Sequence, residues 1–181
     1  CGTGKSAIAL NVARVLGRSA IAVPFKGLQR QYKEDYMERL SVKGKNGGKL
    51  KISVITGRDN HDSAFWPGVS CSDPMLPENI KMTDKNFSKI KEYYEQNPYI
   101  GNKEIPDVRE MTRVAVAPAN PYWSPIVAED VYMPLKDAKK KKYRGLNGRD
   151  FIFYQRKTGC SYYDQYQGYW DSDLIIFNAA K

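Results

Sequence analysis

The chain has 181 residues, 41% of them hydrophobic, enough for a domain with a real core. Its 29 basic and 20 acidic residues leave a formal charge of +9, which favours a polyanionic partner such as nucleic acid. Three scattered cysteines and one histidine exclude a secreted disulfide framework, a histidine-based hydrolytic triad and a histidine-rich zinc site.

The first stretch, Cys1-Gly2-Thr3-Gly4-Lys5-Ser6, reads as the end of a phosphate-binding loop, G-x-x-x-x-G-K-[ST], running into a helix. The motif's leading part would lie before Cys1, and the chain has no initiating Met, signal peptide or membrane-length apolar run. It is therefore expected to be an internal fragment of a soluble protein, cytoplasmic or, in a eukaryote, nuclear. Glycines let the backbone wrap a polyphosphate, because a Cβ would block the approach. The amides near Gly2, Thr3 and Gly4 and the Lys5 ammonium would hold the β- and γ-phosphates of ATP, and the Ser6 hydroxyl would ligate Mg²⁺. The plainer alternative is a glycine-rich helix start; an N-terminal nucleophile at Cys1 is a second one.

Residues 7–16 predict a strongly apolar helix ending at Gly17, and residues 19–23 a buried strand. Residues 25–40 carry Phe25, Leu28, Tyr32, Tyr36, Met37 and Leu40 at near-helical spacing, with Gln29, Arg30, Gln31, Lys33 and Glu34 on the wet side. A Lys/Gly/Asn loop at 43–49 precedes a strand at 51–56. Strand, helix and strand after a phosphate loop imply a parallel sheet.

From about Gly57 to Gly159 the rhythm breaks. This stretch holds most of the ten prolines and one clear amphipathic helix, residues 84–96, and reads as an inserted subdomain. His61 reads as a loop residue. Residues 136–144, rich in lysine, suit a solvated face or contacts to a phosphate backbone. Residues 162–170 predict a tyrosine-rich helix, and 174–177, Leu-Ile-Ile-Phe, a buried parallel strand with Asn178 at its carboxyl end, the edge where open α/β sheets bind ligands.

Taken together these residues resemble the XPD/DinG-type branch of superfamily 2 DNA helicases. Residues 1–6 look like motif I. Ala22-Val23-Pro24 through Leu28-Gln29-Arg30-Gln31-Tyr32 is similar to motif Ia, with its leucine, glutamine and tyrosine in a helix after a strand. Gly57-Arg58-Asp59-Asn60 resembles the G-R-x-N opening the family's iron–sulfur insertion. Cys160-Ser161-Tyr162-Tyr163-Asp164-Gln165 looks like the segment with its last cluster cysteine, and Asp173-Leu174-Ile175-Ile176-Phe177-Asn178 like the strand that follows.

The chain departs from the family where relatives place four cysteines around a [4Fe–4S] cluster. His61, Asp62 and Ser63 stand where the first is expected, and Glu78 and Asn120 sit where related text often has cysteine. Only Cys71 and Cys160 remain as residual cluster ligands, so the insertion is expected to be cluster-free and the two thiols to be ordinary buried cysteines.

The resemblance implies an α/β fold: a partial RecA-like P-loop parallel sheet interrupted by an inserted, mainly helical and irregular subdomain. The expected divisions are 1–56 for the start of the ATP-binding motor domain, 57–160 for the insertion and 161–181 for the return to the sheet. The implied activity is ATP-dependent movement on single-stranded or forked DNA, with ATP and Mg²⁺ as cofactors, no membrane partner, and little hydrolysis by this stretch alone. DNA-binding candidates are Arg58, Lys139, Lys140, Lys141 and Lys142. Among the aromatic residues Tyr99, Tyr122, Trp123, Tyr132 and Tyr143, which suit base stacking, most are expected in the core. Another P-loop ATPase, or a non-catalytic nucleic-acid-binding descendant of a helicase, are the alternatives.

Overall fold

The computed structural model of the protein describes residues 4–100 and 104–179. The described helices are α1 (Lys5–Leu16), α2 (Lys26–Tyr32), α3 (Phe87–Glu95), α4 (Arg113–Val116), α5 (Ser161–Asp164) and α6 (Gly168–Asp171). The strands are β1 (Ser19–Val23), β2 (Ile52–Ile55), β3 (Ile126–Ala128), β4 (Lys139–Arg144), β5 (Asp150–Gln155) and β6 (Leu174–Asn178). The chain packs as two units: Cys1–Thr56 with Tyr143–Arg149 and Gln165–Lys181, and Gly57–Lys142 with Asp150–Asp164. No described helix is long and apolar enough to cross a membrane.

In the first unit, β6 lies between β1 and β2 and runs parallel to both. Leu174 faces Ser19 on one side and Ile52 on the other. The expected continuous apolar run is explained by this position: Leu174, Ile175 and Ile176 are all buried, as in a strand covered on both faces. Leu10 and Ala13 of α1 complete the core with Val23, Tyr32, Leu50 and Ile52. Helix α1 ends at Gly17, whose positive φ of 83° lets its N–H close back onto the Ala13 carbonyl. Its other apolar residues, Ile8, Val12, Val15 and Leu16, are more than half exposed.

Two helices differ from their sequence patterns. The stripe over 25–40 is α-helical only through Tyr32 and then widens into a π-helical stretch over Lys33–Arg39. The tyrosine-rich segment 162–170 is not one helix. It is split into α5, a 3₁₀ turn over Gln165–Gln167, and α6. Tertiary contacts impose that break. The Gln165 side chain accepts from the Thr56 N–H at 2.8 Å and donates to the Thr56 carbonyl at 3.0 Å, so it pairs with the chain just beyond β2 as another strand would. Three residues on, Gly168 passes so close to β2 that a Cβ there would lie 2.6 Å from the Ser53 Cβ.

The expectation of a mainly helical and irregular subdomain over 57–160 is corrected, for that stretch contains a three-stranded antiparallel sheet in the order β3-β5-β4. Ile126 faces Phe153 and Ala128 faces Phe151. Strand β4 escaped the sequence reading because Lys-Lys-Lys-Lys-Tyr-Arg has no apolar alternation; it is an edge strand, where lysines discourage further pairing. The helix expected at 84–96 is a 3₁₀ turn followed by α3. Ile90, Tyr93 and Tyr94 of α3 pack with Ile80, Val108, Met111 and Val116. Long loops here are tied by asparagine amides acting in place of ladder partners: Asn79 donates to the Cys71 and Asp73 carbonyls at 2.8 and 2.9 Å, and Asn97 to the Ala115 carbonyl at 2.6 Å.

Substituting Gly168→Ala is expected to destabilise the protein by about 1–3 kcal/mol, because the added methyl overpacks against Ser53. Urea unfolding of the variant checks this. The double variant Gly168→Ala with Ser53→Gly should recover much of the loss, and no recovery would refute the steric cause.

Candidate functional site

Gly2 and Thr3 of the phosphate-loop text lie outside the described residues. At Gly4 the backbone is left-handed, with φ 64° and ψ 16°, and its carbonyl accepts the first α1 hydrogen bond from the Ile8 N–H at 2.9 Å. That conformation suits glycine and strains any other residue. Among the described residues no side chain caps α1, and its first turn holds no acidic residue. The first-turn N–H groups and the positive end of the helix dipole therefore meet no carboxylate from their own helix. Lys5 is exposed and Ser6 half-buried.

The start of α1 is tied to the sheet through α2. The Tyr32 hydroxyl, on a side chain 3% exposed, donates to the Ser6 carbonyl at 3.4 Å. One helical turn earlier, the Gln29 amide donates to the Ile55 carbonyl at 2.6 Å and reaches the Ile176 carbonyl at 3.5 Å. Ile55 ends β2, and Ile176 lies on β6, so one face of α2 connects the helix start with the carboxyl side of two parallel strands. Gln29, expected on the wet face of its helix, is instead 4% exposed. Periodicity misplaced it because a glutamine was counted as solvated, whereas carbonyls of β2 and β6 satisfy its amide; the leucine–glutamine–tyrosine text of the resemblance was the signal that could have found it.

These residues suit a polyphosphate: a left-handed glycine, first-turn amides with no described side-chain cap and an exposed lysine stand at one helix end. For Mg²⁺ the fit is partial, since Ser6 offers a single hydroxyl oxygen. Among the described residues no group of three His, Cys, Asp or Glu side chains is placed to hold a metal ion.

A second cluster lies in the second unit. Cys71 and Cys160, separated by 89 residues in sequence, bring their Sγ atoms to 3.8 Å, and both are buried. Beside them are Glu78 and Asn120, each 2% exposed. The Asn120 amide donates to Glu78 Oε1 at 2.8 Å, and the Tyr163 hydroxyl donates to the same oxygen at 3.2 Å. Glu78 Oε2 is buried and accepts no hydrogen bond among the described residues. The electrostatics follow from burial around one carboxylate. Burial first, and then the Cys160 thiol and Glu78, push the Cys71 thiol up to about 12, while Arg58 opposes the shift. Tyr163 is likewise raised, by burial and then by Glu78.

Of the residues that the resemblance aligns with cluster positions, Cys71 touches Cys160 and Glu78 is hydrogen-bonded to Asn120, but they do not form a four-thiolate site. Only two are thiols, and the amide and carboxylate are hydrogen-bonded to each other. The donor set does not fit a [4Fe–4S] cluster, which needs soft sulfur at each iron.

The basic candidates separate by environment. The Arg58 guanidinium donates to Asn79 Oδ1 and lies over the Tyr162 ring, 5.3 Å from its centre. Lys142 pairs with Glu129 at 2.8 Å and with Asp150 at 3.3 Å, and Lys140 lies over the Tyr154 ring at 5.5 Å. Lys139 and Lys141 are exposed on β4. Against the expectation that most of the aromatic candidates lie in the core, only Trp123 is buried; Tyr99, Tyr122 and Tyr143 are half-buried and Tyr132 is 82% exposed. Tyr122 and Tyr99 carry Lys157 and Arg156 over their rings at 4.6 and 5.5 Å. Tyr143 stacks on Tyr169 at 5.8 Å, and Tyr169 stacks on Tyr166 at 5.7 Å. His61, expected to be a plain loop residue, has Nδ1 within 2.8 Å of the Ser161 hydroxyl.

No family profile, curated protein or solved structure matches the chain.

Burial, followed by the neighbouring Tyr169, raises Tyr143 from 10.0 to about 12, with Arg18 opposing. Between these values the unfolded chain releases a proton that the folded protein keeps, so the folded state binds more protons and stability falls as pH rises. The urea midpoint is therefore expected to be lower at pH about 11 than at neutral pH. Tyr143→Phe should flatten part of that slope; an unchanged slope would remove Tyr143 as its source.

Proposed function

We propose that the protein is an ATP-dependent DNA helicase of the XPD/DinG type, with these residues contributing to its first, RecA-like motor domain. The observation that carries this reading is the start of α1: a left-handed Gly4 followed by Lys5 and Ser6, joined by Tyr32 and Gln29 to the carboxyl side of a parallel sheet. In open α/β sheets that edge, with a helix amino terminus facing it, is where phosphates bind.

In this reading the first-turn amides of α1 orient the β- and γ-phosphates, and the Lys5 ammonium offsets the charge that develops during phosphoryl transfer. Ser6 supplies one ligand to Mg²⁺, which when bound contributes further charge neutralisation. Tyr32 holds the Ser6 main chain, so a shift at the phosphates is passed to α2 and to the ends of β2 and β6. The exposed lysines of β4 and the net charge of +9 support a nucleic-acid partner. The insertion works without an iron–sulfur cluster, its place taken by the Glu78, Asn120 and Tyr163 hydrogen bonds.

In the full-length protein, Lys5→Ala is expected to lower single-stranded-DNA-stimulated ATP hydrolysis at least about a hundredfold while leaving DNA affinity near its original value. Hydrolysis that persists in the variant would refute the role of Lys5. Hydrolysis indifferent to DNA would point to another class of P-loop ATPase, and none in the unaltered protein to a nucleic-acid-binding protein.

A further inference from the structure

We propose that Cys71 and Cys160 form a redox pair that closes to an intramolecular disulfide when the protein is oxidised. The two sulfurs are already in van der Waals contact at 3.8 Å, and a disulfide of about 2.05 Å requires them to approach by less than 2 Å. Their backbones are anchored on both sides. The Cys71 N–H donates to the His61 carbonyl at 2.8 Å, and the Cys71 carbonyl accepts the Asn79 amide at 2.8 Å. The Cys160 carbonyl accepts the N–H groups of Tyr163 and Asp164 at 3.0 and 2.8 Å. The sulfurs are thus held facing each other by the fold around them.

One further observation separates this pair from metal ligands. Asn120 and Tyr163 both donate to Glu78 Oε1, and among the described residues no group of three His, Cys, Asp or Glu side chains is placed to hold a metal ion beside the two thiols.

With hydrogen peroxide as oxidant, one cysteine, ionised when local opening exposes it, attacks the O–O bond as a thiolate and becomes a sulfenic acid, and the departing hydroxide takes up the thiol's proton to leave as water. The second sulfur then displaces the sulfenic oxygen, which departs as a second water. Two thiols and one hydrogen peroxide give one disulfide and two waters, with two electrons passing from sulfur to oxygen. A small dithiol reverses the bond by exchange. Because both thiols are only 3% exposed, the reaction waits on local opening and is slower than at an exposed cysteine. Once formed, the bond removes freedom from the unfolded chain over the long loop it closes.

The test is to oxidise the purified protein with one equivalent of hydrogen peroxide, alkylate the remaining thiols, and map the peptides by mass spectrometry. Thermal unfolding is followed with and without dithiothreitol, and zinc and iron are measured in the untreated sample. Expected are a Cys71–Cys160 linked peptide and a rise in unfolding temperature of at least about 5 °C, both reversed by dithiothreitol. Cys160→Ser should lose both responses. Free or over-oxidised thiols without the linked peptide, a fall in unfolding temperature on oxidation, or stoichiometric zinc or iron in the untreated protein would each overturn the proposal.

Discussion

The parallel sheet depends on β6 being hydrogen-bonded on both sides. β1 and β2 come from the first third of the chain, yet each pairs with β6, near its end, rather than with the other. The ladder that joins Ile52 to Leu174 closes across more than a hundred residues, and the loop entropy of that closure is met before any of its hydrogen bonds form. Leu174 and Ile176, fully buried, supply the apolar area that offsets it. The core beneath α1 draws on the same two residues, so the helix start with Gly4 and Lys5 rests on a strand that arrives last.

Precision at that helix start comes from polar side chains inside the unit. Gln29 and Tyr32 are buried because backbone carbonyls receive their protons: those of Ile55 and Ile176 for the amide, that of Ser6 for the phenol. A buried donor without such a partner would cost about 1–3 kcal/mol, so the packing selects the one arrangement in which both are satisfied. The phosphate-binding reading draws its force from this coupling more than from the motif itself. A glycine, a lysine and a serine in sequence are common; a left-handed glycine opening an uncapped helix beside the carboxyl side of a parallel sheet is a specific arrangement for an anion.

The second unit solves a different problem. Its loops are long, and asparagine side chains take up backbone groups that no ladder reaches. At its centre a carboxylate is buried with two donors on one oxygen and none on the other, next to two thiols in contact. Burial is the largest cause of the raised Cys71 and Tyr163; the neighbouring Glu78 adds to both shifts and Arg58 opposes them.

The strand at 174–178 was legible in sequence because a parallel strand buried on both faces needs an unbroken apolar run, and α3 because its stripe repeats at helical spacing; strands at 19–23 and 52–55 were placed as expected, but β1 is buried only at Val23, with Ala20 and Ala22 exposed, so it is not the buried strand its text suggested. Glycines at 4 and 17 marked the ends of α1 for the same local reason: each adopts a positive φ. What only the tertiary structure decided are the features that depend on partners far away in sequence. Strand β4 exists because β5 lies beside it, and its lysines alone carry no strand pattern. The helix predicted at 162–170 breaks because Gln165 meets Thr56 and Gly168 meets Ser53. Gln29 is buried because carbonyls of β2 and β6 accept its amide. Cys71, Glu78, Asn120 and Cys160 stand in four separate stretches of text, and their meeting is set by packing, which acts through space and leaves no periodic trace along the chain.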